Sequence, residues 1–158
     1  MSFTVRDLKD PDALIALGFG SGLSPRAPGT VGTLAAIPLF LLLAQLPWYV
    51  YLLAVAAALG LGVWVCDRVA ARKKVKDPGA IVWDEFVGLW IGLFLLPAGW
   101  WWLLAGFVLF RIFDIAKPWP VSWADRSLSG GLGIMMDDVV AGLYTLCVLQ
   151  GFAYFFSY

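Results

Sequence analysis

The chain has 158 residues, 61% of them hydrophobic and only 14% charged, with a mean hydropathy of +0.84. Soluble domains run nearer half apolar and a quarter charged, so an ordinary water-soluble globule is excluded, and the length points to a single domain over 1–158. The 11 basic and 11 acidic residues cancel, which argues against a nucleic-acid partner, and the lack of histidine removes Ser-His-Asp triads, histidine-ligated metals and phosphohistidine intermediates.

The charges fall in three blocks, 1–26, 67–85 and 111–138, and none occurs in 27–66, 86–110 or 139–158. That pattern predicts an all-α, polytopic membrane bundle with a polar face. The first dozen residues carry five charges, which does not fit a cleavable signal peptide. The stretch 27–66 is long enough for two crossings at ~20 residues each. Pro47, followed by Trp48, Tyr49 and Tyr51, divides it into helices expected over 31–46 and 48–66. Cys66 and Cys147 lie at or inside apolar segments and read as packing thiols. The stretch 86–110 allows one tilted crossing or two short, re-entrant helices, 86–96 and 100–110, turning at Pro97-Ala98-Gly99. Only the second option puts all 11 Lys and Arg residues on one side, the positive-inside pattern of a cytoplasmic face. A last span is expected over 139–156. These features predict a multi-pass membrane protein with its polar face on the cytoplasmic side.

Two glycine-rich segments and two acidic pairs stand at the ends of the apolar stretches. The first segment is Gly18-Phe19-Gly20-Ser21-Gly22 followed by Pro28-Gly29-Thr30-Val31-Gly32-Thr33. Glycines let backbone N–H groups approach an anion, and Thr30 or Thr33 is placed to cap the next helix. It lacks the Gly-Lys-Ser/Thr of a Walker loop. Asp84-Glu85 precedes the second apolar stretch, where a carboxylate is costly unless paired or metal-bound. Arg111, Asp114 and Lys117 are three apart, an ion-pair ladder or a phosphate cradle. Gly130-Gly131-Leu132-Gly133 then leads to Met135-Met136-Asp137-Asp138, expected to open the last span. Oxygen-only ligands point to Mg²⁺. Cys66 and Arg72 match a cysteine-phosphatase spacing, but the residues between them hold no glycine to cradle phosphate. Arg72-Lys73-Lys74-Val75-Lys76 reads as a positive-inside anchor that touches anionic lipid.

Together these motifs resemble the bacterial phosphatidylglycerophosphatase A family over about residues 14–145. The resemblance lies in the two glycine segments, Ile81-Val82-Trp83-Asp84-Glu85-Phe86-Val87-Gly88, the run 110–120, and Gly133 to Gly142. It implies Mg²⁺-dependent hydrolysis of phosphatidylglycerophosphate to phosphatidylglycerol and phosphate. The residues expected to carry that chemistry are Asp84, Glu85, Asp114 and Asp138 in catalysis. Gly29, Thr30, Thr33, Arg111 and Lys117 are expected to bind substrate, and Asp84, Glu85, Asp137 and Asp138 to hold metal. Glu85 and Asp138 are expected to be the inward members of their pairs. Attack by water and attack by an aspartate both remain open. A divalent-cation transporter would want acidic residues in mid-span, and a non-catalytic assembly protein would not need two glycine segments beside two acidic pairs. Nothing in the sequence identifies a protein partner.

Overall fold

The computed structural model describes residues 3–75 and 78–156, and among them every regular element is helical. Seven α-helices follow one another: α1 Pro11–Ala16, α2 Pro28–Leu43, α3 Trp48–Lys73, α4 Trp83–Gly92, α5 Trp100–Ala116, α6 Val121–Ser127 and α7 Gly130–Phe156. Short 3₁₀ turns, Val5–Lys9 and Gly18–Leu23, flank α1. Helices α3 and α7, of 26 and 27 residues, are long and apolar enough to cross a membrane. At 1.5 Å per residue each covers ~40 Å, against ~30 Å of hydrocarbon.

The 10-residue α4 is the hub, with residues on every side of it buried. It runs parallel to α2 and α7 and antiparallel to α3 and α5. Small residues let α7 approach: a Cβ on Gly88 would lie 2.7 Å from the Asp138 carbonyl oxygen, and one on Gly142 would overlap the Gly88 carbonyl oxygen. Indole and phenol groups find partners inside this apolar packing. Trp90 Nε1 donates to the Ala36 carbonyl at 3.1 Å and Trp83 Nε1 to that of Ala58 at 3.0 Å. Tyr51 Oη donates to the Trp90 carbonyl at 2.6 Å. Left unpaired, each buried donor would cost ~1–3 kcal/mol.

The stretch 86–110 is broken, as the two-helix reading expects. Helix α4 ends at Gly92, and α5 returns antiparallel to it, with Gly106 against Leu93 and Phe110 against Gly88. Helix α4 is shifted towards the N-terminus, whereas α5 starts at Trp100 as expected and runs further. α4 starts at Trp83, so Asp84 and Glu85 lie in its first turn, where the helix dipole favours them. α5 continues to Ala116 because Arg111 and Asp114 pair along its last turns.

Three further expectations are corrected. Helix α2 starts at Pro28 rather than 31, because proline suits the first helical position. Gly29 and Thr30 are therefore helical, and neither Thr30 nor Thr33 caps; the N-cap is Ala27, in left-handed conformation. Helix α3 runs past Cys66 to Lys73, and its last turns pair with the N-terminal segment, while Lys76 of the expected anchor lies outside the described residues. Arg68 pairs with Asp12 at 3.0 Å, Arg72 with Asp10 and Asp12, and Lys73 with Asp7 at 2.9 Å. Helix α7 starts at Gly130 instead of 139. Its first turn is the expected glycine loop, held by Asp67 Oδ1, which accepts the Gly131 N–H at 2.9 Å. Asp137 and Asp138 thus sit two turns inside the helix rather than at its N-terminus.

Candidate active site

The N-termini of α2 and α4, the C-terminus of α5 and the early turns of α7 meet at one end of the bundle and bring the sequence candidates together. Glu85 stands at the centre and is buried. Thr33, fully buried on α2, donates its hydroxyl to Glu85 Oε2 at 2.7 Å. From α5, Arg111 Nη1 lies 3.2 Å from Glu85 Oε1, 2.6 Å from Asp114 Oδ2 and 3.4 Å from the Thr33 hydroxyl. Gly29 admits this arrangement, since a Cβ there would overlap Glu85 Oε1.

A second group adjoins it. Lys117 closes α5 in left-handed conformation and leaves the Arg111–Asp114 ladder. Its Nζ donates to Asp137 Oδ2 at 2.9 Å and to Asp125 Oδ1 at 2.8 Å, so it ties α6 to α7. Burial works against the charge of Lys117, yet the bonds to Asp125 and Asp137 outweigh it and hold the ammonium above its ordinary pKa. Lys117 therefore stays charged at any physiological pH.

Asp138 is the most deeply placed carboxylate, 2% exposed, and its Oδ2 is buried with no hydrogen-bond partner among the described residues. Asp84, Asp114, Asp137 and Glu85 all lie within electrostatic reach of it. A buried carboxylate amid four others is costly as an anion unless it meets a cation or takes up a proton. Among the described residues no three carboxylates converge closely enough to enclose an ion by themselves. Glu85 and Asp137 face Arg111 and Lys117 instead. That donor set fits Mg²⁺, which dehydrates reluctantly and is usually bound by one or two carboxylates plus water and substrate phosphate.

Of the expected residues, Glu85, Asp114, Asp137, Thr33, Gly29, Arg111 and Lys117 belong to these two groups, and Asp138 lies within electrostatic reach of both. Asp84 is half-buried in the same first turn as Glu85. Thr30 makes no side-chain hydrogen bond with the described residues. Sequence reasoning missed Asp125. Its only signal is a carboxylate eight residues beyond Lys117, across the proline-bounded turn 118–120.

The model of the family described as phosphatidylglycerophosphatase A matches residues 14–153, a span that contains every residue of both groups. The chain belongs to the phosphatidylglycerophosphatase A family. A phosphatidylglycerophosphatase A of Escherichia coli K12 is 52% identical over 143 residues, covering 90% of this chain and 83% of that protein. One from Haemophilus influenzae is 46% identical over 149 residues, 93% of this chain and 91% of its own. A Bacteroides thetaiotaomicron protein named "Putative phosphatidylinositol-3-phosphatase" is 42% identical over 144 residues, 86% of this chain and 89% of its own. No solved structure matches the chain. Membership of the phosphatidylglycerophosphatase A family makes this chain a phosphatase.

Proposed function

We propose that the protein hydrolyses phosphatidylglycerophosphate to phosphatidylglycerol and inorganic phosphate, with Mg²⁺, at the cytoplasmic face of a bacterial inner membrane. The observation that carries this reading is the buried Glu85–Arg111–Asp138 end of the bundle, in a chain of this family whose long apolar helices suit a bilayer. The substrate is a phosphate monoester held at headgroup depth, where charged side chains are costly unless they are paired or meet a ligand.

Hydrolysis forms a P–O bond to a water oxygen and breaks the P–O bond to the headgroup glycerol, which leaves as an alcohol on gaining the proton that the water gives up. Asp138, with Asp84 and Asp137 beside it, would hold the cation, and Asp138 Oδ2 has no hydrogen-bond partner among the described residues. When bound, Mg²⁺ neutralises phosphoryl charge and lowers the pKa of water. Arg111 meets the phosphate oxygens, exchanging part of its pairing with Glu85 and Asp114 for a charge-assisted bond to the ester. Thr33 and Gly29 fix Glu85 against Arg111, which sets the position of the guanidinium. Lys117 holds Asp137 and Asp125 in place, so its part is positioning at least as much as phosphate binding.

The test is phosphate release from phosphatidylglycerophosphate in mixed micelles by the purified protein, with phosphatidylinositol 3-phosphate as a parallel substrate. Release that stops on chelation and returns with Mg²⁺ is the expected result. Full turnover after exhaustive chelation contradicts the metal-dependent reading.

A further inference from the structure

Beside the carboxylate groups lies a cavity of about 310 Å³, lined among others by Asp125, Arg126, Ser129, Gly133 and Asp137. That size is at the small end of ligand sites, roughly 300–1,000 Å³. Two of its walls belong to the site described above: Asp137 and Asp125 are the two carboxylates held by Lys117 Nζ, at 2.9 and 2.8 Å. The others contribute different chemistry. Arg126, in the last turn of α6, and Ser129, just before α7, make no ion pair or side-chain hydrogen bond with the described residues. The cavity therefore presents an uncommitted guanidinium and hydroxyl, with the carboxylate of the candidate centre on a neighbouring wall.

We propose that this cavity is the headgroup subsite, taking the glycerol and the second phosphate of a lipid that carries both a phosphodiester and a terminal monoester. This deepens the lipid-phosphatase reading and rests on it. A terminal monoester at Asp137 and Asp138 leaves the rest of the headgroup a few bonds away. Arg126 supplies the charge-assisted donors that a diester phosphate accepts. Asp125 and Ser129 are hydrogen-bonding partners for the glycerol hydroxyl between the two phosphates. A lipid whose single phosphate is the scissile one has nothing to offer Arg126. The subsite thus separates headgroups by the group they carry beyond the reacting phosphate.

The measurement is kcat and KM for phosphatidylglycerophosphate in mixed micelles, for wild type, Arg126→Ala, Arg126→Lys and Arg6→Ala. Arg6 is an exposed cation near the N-terminus, unpaired among the described residues, and controls for general attraction of an anionic lipid. Arg126→Ala is expected to raise KM about tenfold, the scale of one charge-assisted hydrogen bond, with kcat within about twofold. Arg126→Lys should recover part of the loss, and Arg6→Ala should match wild type. With phosphatidate, which lacks the diester, Arg126→Ala should leave kcat/KM at the wild-type value. An unchanged KM in Arg126→Ala, or an equal rise in Arg6→Ala, overturns the subsite while active wild type upholds the phosphatase reading. A wild type that releases no phosphate from phosphatidylglycerophosphate overturns that reading and the subsite with it.

Discussion

A methyl group at position 29 would occupy the space of Glu85 Oε1 and come within 3.2 Å of Arg111 Nη1. Gly29→Ala should therefore push the carboxylate off the guanidinium while leaving the exposed surface untouched. A fall in kcat of about tenfold or more is expected, since small misplacements of a preorganised charge cost that much, and phosphate-release kinetics beside a thermal melt will separate this from unfolding. Thr33 can be dissected by its hydroxyl. Thr33→Val leaves Glu85 Oε2 without its 2.7 Å donor, at a cost of about 1–3 kcal/mol. Thr33→Ser keeps the donor and should keep activity. Asp7 gives a pH signature outside the bundle. Its hydrogen bond from Lys73, aided by the Thr4 N–H, lowers its pKa from 3.8 to about 2. A carboxyl depressed in the folded state contributes stability above pH 3.8, and that contribution is lost as pH falls towards 2. Asp7→Asn should flatten this acid limb of a stability-versus-pH curve without changing turnover.

At the scale of elements, the seam between α4 and α7 decides whether the acidic groups meet. A Cβ on Gly142 would overlap the Gly88 carbonyl, whereas one on Gly60 meets nothing within 4 Å. Gly142→Val should destabilise the protein by about 1–3 kcal/mol through overpacking. Gly60→Ala should be neutral or stabilise by up to about 1 kcal/mol through helix propensity. Denaturation in detergent compares the two. The helices themselves were legible in the sequence, because proline, tryptophan clusters and charge gaps mark where apolar stretches must break. The break in 86–110 was legible for the same reason, with Pro97 and Gly99 beside a tryptophan triplet. The start of α7 was not. Four residues with three glycines read as a loop, and what makes them helical is Asp67, from a helix 64 positions away. Site composition was equally legible, since carboxylates at the ends of apolar stretches need partners. The partners were not, because Lys117 leaves the ladder in its own sequence for Asp125 and Asp137 only once α6 and α7 pack together.

For the whole molecule, the proposed sidedness puts the polar end in the cytoplasm and the far end of α7 on the other side. In a background without Cys66 and Cys147, a cysteine at Ser127 should react with an impermeant thiol reagent only after the cells are opened. One at Phe155, near the far end of α7, should react from outside. Labelling of position 127 in intact cells would contradict this sidedness. The proposed function rests on one shared centre built from α4 and α7. The most direct measurement is kcat/KM for phosphatidylglycerophosphate with Mg²⁺, for Glu85→Gln, Asp138→Asn and the double variant, each first shown to be folded. Each single change should cost at least ~10²-fold, as for loss of a preorganised charged group, and the double variant should cost little more than either alone, because residues acting as a unit are not additive. If both single variants fold and keep near wild-type turnover, Glu85 and Asp138 do not form the centre of this enzyme.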